Sequence, residues 1–481
     1  MRTYIAIDLG TSNCRSAVFD DTMKMLSLAS AEYPLIHGAD GEIEQDALVW
    51  WDSVKKTIRA ALSSAKVSGD TVASISMSSQ GISFVPLDQN GKPLSNAVSW
   101  LDLRAQQEET ELEKQYGKEK LFQFSGKRAN ACYTLPKLVW FAKNKPEIYE
   151  KASRILLPLD FIQYKLCGNA VTDHTMASGT MFYDIHKKTW ASDVLKEQGL
   201  DERKLPSISQ SGTVIGKVFP TLADELGISR DTAVVVGAQD QKCAALGAGI
   251  TPRSATASLG TASCITMLSD QPLLDKELRI PCFTYLWPGT WALEGIINTA
   301  ASAYQWFQNA FAPQFSFQEL DHFALESAKK HTRAFFFPYL SGMTSPFWGN
   351  GTGTFSDLSL ASDVGQLALA VLDGVACNIK ANLDIMQSIY KPVQECRLFG
   401  GGAKSPLWRQ IVADLLNIPV ITQPSPETAL LGAALLAKFG IDRELAPLPE
   451  KDSITEPIKE NVAEYQEYYS RYLANNQKYF M

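Results

Sequence analysis

The chain has 481 residues, 45% of them apolar and 20% charged, with a net charge of −7 at pH 7. That composition is that of a globular chain rather than a disordered one, and at roughly 100–200 residues per domain the length allows two to four domains with large cores. The acidic balance argues against nucleic acid as a partner.

Near the N-terminus, TYIAIDLG is a short apolar run closed by a glycine, the pattern of a central strand entering a turn. CRSAVFD follows as a second strand, so the two form a hairpin. LVWWDSVKKTIRAALSSAKVSGD reads as an amphipathic helix that stops at a glycine. TVASISMSSQGISFVPLDQNGKPL reads as strand, loop and strand, with a turn at Asn90-Gly91. From about Trp100 to Pro220 the pattern is mostly helical. AVVVGAQDQKCAALGAG is a buried strand, a tight turn and a helix of small residues. TASLGTASCITML is again strand, turn and strand, and WALEGIINTAASAYQWF runs from strand into helix. VGQLALAVLDGVACNIKANLDIMQSI is a long helix. CRLFGGGAKSPLWRQIVADLLNIPVITQ is strand, glycine turn, helix and strand. The residues after about Pro447 read as a polar helical tail.

Eight cysteines are scattered without a CxxC pair, and no histidine stands at metal-ligand spacing from them. They read as buried free thiols of a reducing cytoplasm. The first residues enter a strand at once, with no apolar leader or cleavage site. No run of about eighteen apolar residues offers a membrane span. The expected setting is therefore cytoplasmic, with neither membrane nor nucleic acid as partner.

One short pattern occurs twice. IDLGTSNC and ASLGTASC both read Leu-Gly-Thr-x-x-Cys, and Leu9, Gly10, Thr11 and Cys14 recur as Leu259, Gly260, Thr261 and Cys264. A Gly-Thr turn between two strands gathers backbone N–H groups and a hydroxyl at one point, and such concave clusters favour anions. Gly10 admits a phosphate close to the backbone, and Thr11, Ser12 and Asn13 add donors. Either copy alone reads equally as a hairpin turn. The pair suggests a clamp that grips a polyphosphate between two halves. Asp8 stands only in the first copy and suits the metal side, because Mg²⁺ takes one or two carboxylates plus phosphate oxygens. Gly400, Gly401 and Gly402, between a strand and a helix, suit close approach to a ring or phosphate and equally suit packing. Asp240, in the first turn of the small-residue helix, is either a helix-start carboxylate stabilised by the dipole or a base that orients a hydroxyl toward a γ-phosphate.

These segments, in this order and spacing, resemble the FGGY family of carbohydrate kinases, within the actin-like ATPase fold. The resemblance runs from about Tyr4 to Gly440, through IAIDLGTSNCR, NAVSWLDLRA, VVVGAQDQKCAALGAG, ASLGTAS, GGGAKSPLW and ETALLGAALLA. It implies an α/β chain of two ribonuclease-H-like domains flanking a deep cleft: 1–248 on the sugar side, 249–447 on the ATP side and 448–481 as the helical tail. It implies ATP and Mg²⁺, with Asp240 as catalytic base and Asp8 on the metal side. Thr11, Ser12, Asn13, Gly260, Thr261, Gly401, Gly402, Ala403 and Ser405 would lie around ATP. Gln80, Gly81, Ile82, Trp100, Asp102, Arg104 and Asp240 would lie around the sugar. The branch resembled is the xylulokinase-like one, so the expected acceptor is a ketose, most of all a pentulose; a homodimer is allowed.

The substrate segment departs from familiar members. Gly81-Ile82 stands where D-xylulose kinases carry Met-His and glycerol kinases Arg-Glu. Glycerol would lose its ionic contacts there, and a Gln-Gly pair is similar to kinases of other ketoses such as L-xylulose. SGMTSP also lacks the arginine common in that motif. The alternatives kept open are a kinase of ribulose, erythritol, gluconate or an autoinducer-2-type compound, and a non-catalytic actin-like ATPase.

Overall fold

The computed structural model describes residues 2–39, 41–329, 333–423, 427–448 and 453–481. Thr3–Leu9 (β1) is buried at every position, as a central strand covered on both faces requires. It pairs antiparallel with Asn13–Asp20 (β2), which pairs antiparallel with Met25–Glu32 (β3). Ala47–Ala65 (α1), capped by the Asp46 carboxylate on Leu48 N, packs on β2 and β3. Val72–Ser79 (β4) lies parallel to β1, and Ala233–Val235 (β5) parallel to β4. The sheet order is β3-β2-β1-β4-β5, with Val214–Lys217 on the outer edge and Ala238–Gln239 beside the end of β4. β3 is absent from the sequence reading because most of its side chains are half-exposed or exposed and form no apolar run.

The second half repeats this plan. Ser254–Ser258 (β6), Ser263–Ser269 (β7) and Trp291–Ile297 (β8) are antiparallel neighbours; Glu395–Phe399 (β9) runs parallel to β6, and Val420–Thr422 (β10) parallel to β9. The order β8-β7-β6-β9-β10 matches the first sheet strand for strand and direction for direction. The twice-written Leu-Gly-Thr-x-x-Cys is thus the local sign of a duplicated sheet. In both copies the cysteine is a buried residue of the strand after the turn.

Two helices join the halves. Asp240–Gly247 (α2) follows the first sheet. Thr428–Asp442 (α5) ends the second half in sequence, yet packs against α2, β1 and β4 of the first. Their backbones touch. A Cβ on Gly432 would lie 2.0 Å from Cys243 O, and one on Gly247 1.9 Å from Thr428 O. The small-residue runs CAALG and LLGAALLA exist for this contact. Gly432→Ala forces the helices apart and is expected to lower stability by about 1–3 kcal/mol, as overpacked cores do; a melting temperature within 1 °C of the parent, in about the error of a melt, would contradict the contact.

Val364–Ile389 (α3) is long and apolar enough to cross a membrane, but 83% of its apolar window is buried within the protein. Asp373, Asn378 and Asn382 interrupt its apolar run in the sequence; all three are buried in the core. The polar tail is no appendage. Ser453–Thr455 extends the second sheet beside β10. Lys459–Phe480 (α6) buries Tyr465, Tyr468, Tyr469 and Tyr472 on one face. Tyr465 donates to Asp373 Oδ1 at 2.9 Å, and Tyr468 to Ala334 O at 3.0 Å. Average polarity hides this stripe, whose spacing is helical. All eight cysteines are free and six are buried.

Candidate active site

Parallel register builds the centre of the site. Asp8 and Leu9 stand beside Ser78 and Ser79 of β4, and Ala238 and Gln239 stand on the other side of the same two serines. Three parallel strand ends therefore deliver Asp8, Gln80-Gly81 and Asp240 to one place, the carboxyl edge where α/β sheets hold ligands. Asp240 opens α2 and is half-buried. Its Oδ1 accepts from Gln241 N at 2.7 Å and Gln239 Nε2 at 2.5 Å. Burial, and next the charge of Asp8, push its carboxyl up to about 7.

That value gives a pH dependence with a definite sign. A base acts when ionised, so kcat/KM for the acceptor should fall about tenfold per pH unit below 7. Stability runs the other way. The folded chain keeps a proton that the unfolded chain releases, so the Asp240 contribution is present at low pH and is lost as pH rises through 7. A profile flat between pH 5.5 and 7.5, a range of about two units around that value, would rule out Asp240 as the base in the free enzyme.

Asp8 is 5% exposed. Ser78 Oγ donates to its Oδ1 at 2.9 Å, and Arg15, its antiparallel partner, reaches Oδ2 at 2.5 Å. Arg15 also pairs with Glu427 from the second half. No cluster of three or more candidate metal ligands occurs among the described residues. A single carboxylate beside a phosphate site still fits Mg²⁺, which keeps most of its water and borrows phosphate oxygens.

The first turn is held from outside. Gly10 N donates to Asn13 O at 2.9 Å, and Tyr33 OH to Gly10 O at 2.6 Å. Ser12 is exposed, and Ser12 and Asn13 line an open cavity of about 530 Å³ with Glu32, Tyr33 and Pro34. Thr11 is held by Trp100 and Gln45: Trp100 Nε1 donates to its Oγ1 at 2.9 Å and Gln45 Nε2 to its carbonyl at 2.6 Å.

The second turn meets the glycine turn. Gly402 N donates to Leu259 O at 2.9 Å. Gly400 has φ +92°, and a Cβ there would lie 2.9 Å from the Leu259 carbonyl; only glycine fits. The second turn, at Leu259-Gly260, and the glycine turn, at Gly400 and Gly402, are therefore in contact, and Ala403 is buried. Ser405 caps Pro406–Leu416 (α4) through Trp408 N and donates to Asp321 Oδ2 at 2.6 Å. Cys264, beside the second turn, has its thiol raised by burial first, with the charges of Glu294 and Asp240 adding to it. Asp240 thus lies within electrostatic reach of both repeats.

Among the residues expected around the sugar, Gln80 is 2% exposed and its Nε2 donates to Gln45 Oε1 at 3.0 Å. Gly81 packs on Gln239. Ile82 has φ +70°, a region a β-branched residue enters only under strain, and strain of that kind clusters at functional sites. Asp102 and Arg104 are buried against each other; Arg104 also pairs with Glu42 and Glu44, while Asp102 holds Ile43 N. Their charged groups brace the pocket wall.

Residues 3–247 match the N-terminal domain of the FGGY family of carbohydrate kinases, and residues 255–441 match its C-terminal domain. The chain belongs to the FGGY family of carbohydrate kinases. A xylulose kinase of Staphylococcus epidermidis is 29% identical over 479 residues, 98% of this chain and 95% of the relative. The structure of a gluconate kinase from Lactobacillus acidophilus superposes with a TM-score of 0.93 at 25% identity, covering 99% of this chain and 98% of that one. A xylulose kinase from Rhodospirillum rubrum superposes with a TM-score of 0.92 at 25% identity, covering 99% of each chain. The fold is the two-domain actin-like ATPase fold of these FGGY kinases.

Sequence reasoning missed Arg15, Gln45, Ser78 and the buried Lys242–Glu294 pair. Arg15 was within reach: a hairpin closing at Leu9 and Cys14 sets residue 15 opposite residue 8. The other three meet across long sequence separations and leave no local signal.

Proposed function

We propose that this FGGY kinase transfers the γ-phosphate of ATP to a hydroxyl of a pentulose of the xylulose type. The observation that carries the reading is Asp240, half-buried and raised toward 7, at the strand ends that also carry Asp8 and Gln80. Asp240 accepts the proton of the attacking hydroxyl as its oxygen bonds to the γ-phosphorus and the β–γ bridging oxygen leaves with ADP. The N–H groups of the two Gly-Thr turns hold the phosphates from both sides, so little reorganisation is left for the reaction step. Adenosine lies along Gly401, Gly402, Ala403 and Ser405. Mg²⁺, when bound on the Asp8 side, offsets phosphate charge. Free thiols fit a cytoplasmic setting.

The xylulose kinase relatives support a pentulose. The wall itself disfavours glycerol. Gly81 has no side chain, and Ile82 offers glycerol no donor or acceptor beyond its backbone. In a panel of pentuloses, gluconate, erythritol and glycerol assayed for ADP release, a pentulose should have the highest kcat/KM and glycerol should be turned over weakly or not at all. Glycerol as the best acceptor would overturn the reading.

A further inference from the structure

Close to Asp240 in the chain and in the sheet, two buried acceptors receive no hydrogen bond among the described residues, Gln239 Oε1 and Gln80 Oε1. Buried polar atoms are rarely left so, because an unmade hydrogen bond in the interior is costly. Both amides have their direction set by their other end. Gln239 Nε2 donates to Asp240 Oδ1 at 2.5 Å, and an amide oxygen turned to that carboxylate would be repelled. Gln239 N is anchored on Thr175 Oγ1 at 2.9 Å. Gln80 Nε2 is anchored on Gln45 Oε1 at 3.0 Å. Gly81 lies between the two glutamines in this arrangement: a Cβ there would come within 3.2 Å of Gln239 Cγ. The missing side chain makes room for the Gln239 stem, and the next residue, Ile82, sits at φ +70°.

We propose that Gln239 is a positioning and specificity-determining residue: its Nε2 holds Asp240 toward the acceptor, and its Oε1 accepts from the substrate hydroxyl next to the one phosphorylated. Gln80 Oε1 accepts from a further hydroxyl. The substrate class is then a polyhydroxy ketose with neighbouring hydroxyls, selected by two acceptors, each of which goes unpaired when its own hydroxyl is missing. The inference rests on the reading of this chain as a kinase with Asp240 as base. An ordered water is the other donor that would fit Oε1, and discrimination among deoxy sugars separates the two.

The test measures kcat and KM of the parent, Gln239→Leu and Gly81→Ala on the best pentulose and on its monodeoxy analogues, beside KM for ATP. The parent should prefer the full pentulose over the analogue lacking the neighbouring hydroxyl by about 10–100-fold, the range for one unpaired buried group. Gln239→Leu keeps similar volume and removes both polar atoms. It should lower kcat/KM on the full pentulose by a similar factor and bring that preference close to one, with KM for ATP unchanged within about twofold. Gly81→Ala displaces Gln239 and should shift the same ratio in the same direction; it decides the matter if Gln239→Leu does not fold. Parent-like discrimination in the folded variants would overturn this inference and leave the kinase reading standing. A parent enzyme that turns over no sugar would overturn both.

Discussion

Asp240→Asn should lower kcat by about 10²–10⁴-fold, the usual contribution of a general base. The substitution keeps the shape of the side chain and an oxygen for the donors Gln241 N and Gln239 Nε2, so the entrance to α2 stays formed. ATP affinity should be retained, because the Gly260–Thr261 and Gly401–Gly402 surface is untouched. The stability effect separates catalysis from structure. Burial and Asp8 oppose the charge on Asp240, so at pH 8 the neutral asparagine should leave the protein as stable as the parent or more so, as is common where function and stability conflict. A helix-start carboxylate with no chemical role would behave the opposite way, with turnover nearly intact and a loss of ~1 kcal/mol. The measurements are kcat, ATP affinity and melting temperature of one folded preparation. Near-normal turnover would remove Asp240 from the mechanism and reopen the non-catalytic reading.

Glu294→Gln should destabilise the protein by about 3–5 kcal/mol, the effect of breaking a buried ion pair from one side. Glu294, on β8, pairs with Lys242, on α2; both side chains are out of solvent. Lys242 sits 3.8 Å above the centre of the Phe283 ring, and Lys127 lies 3.9 Å from the same centre. Lys127 is buried too, and desolvation brings its ammonium down to about 7. Removing the Glu294 charge would leave Lys242 without a counter-charge beside a second lysine. The pair joins the first half to the second directly behind Asp240, so its loss should also loosen the halves and raise KM for both substrates. The double variant Lys242→Met with Glu294→Leu should recover most of the stability, because well-packed apolar residues can replace a buried pair. A single variant within 1 kcal/mol of the parent, about the worth of an exposed ion pair, would show that the pair is hydrated in solution.

Much of the fold was legible because it is written in short-range patterns. The run TYIAIDL, the long helix at Val364–Ile389 and the strand–glycine–helix at Arg397–Val412 are each stretches whose periodicity reports their own burial. The repeated Leu-Gly-Thr-x-x-Cys told of two related halves, and two sheets of identical order bear that out. β3 and the tyrosine face of the C-terminal helix were not legible as core elements: the first is half-exposed, and the second lies under a polar average.

The sequence by itself determined the elements, the duplication and the residue types at the strand ends, because each depends on neighbours within a few positions. Tertiary structure alone decided who meets whom. Parallel register across β4 set Asp8 and the Ala238-Gln239 pair that leads into Asp240 on either side of the same serines, and helix crossing at Gly247 and Gly432 carried α5 back onto the first sheet. It alone turned Asp102 and Arg104 into a brace, seated Ile82 at positive φ and left the two glutamine oxygens unpaired among the described residues. The physical reason is that hydrogen bonding, desolvation and charge act through distances of a few ångströms in space, and residues 8, 80, 239 and 294 become neighbours only when the chain has folded.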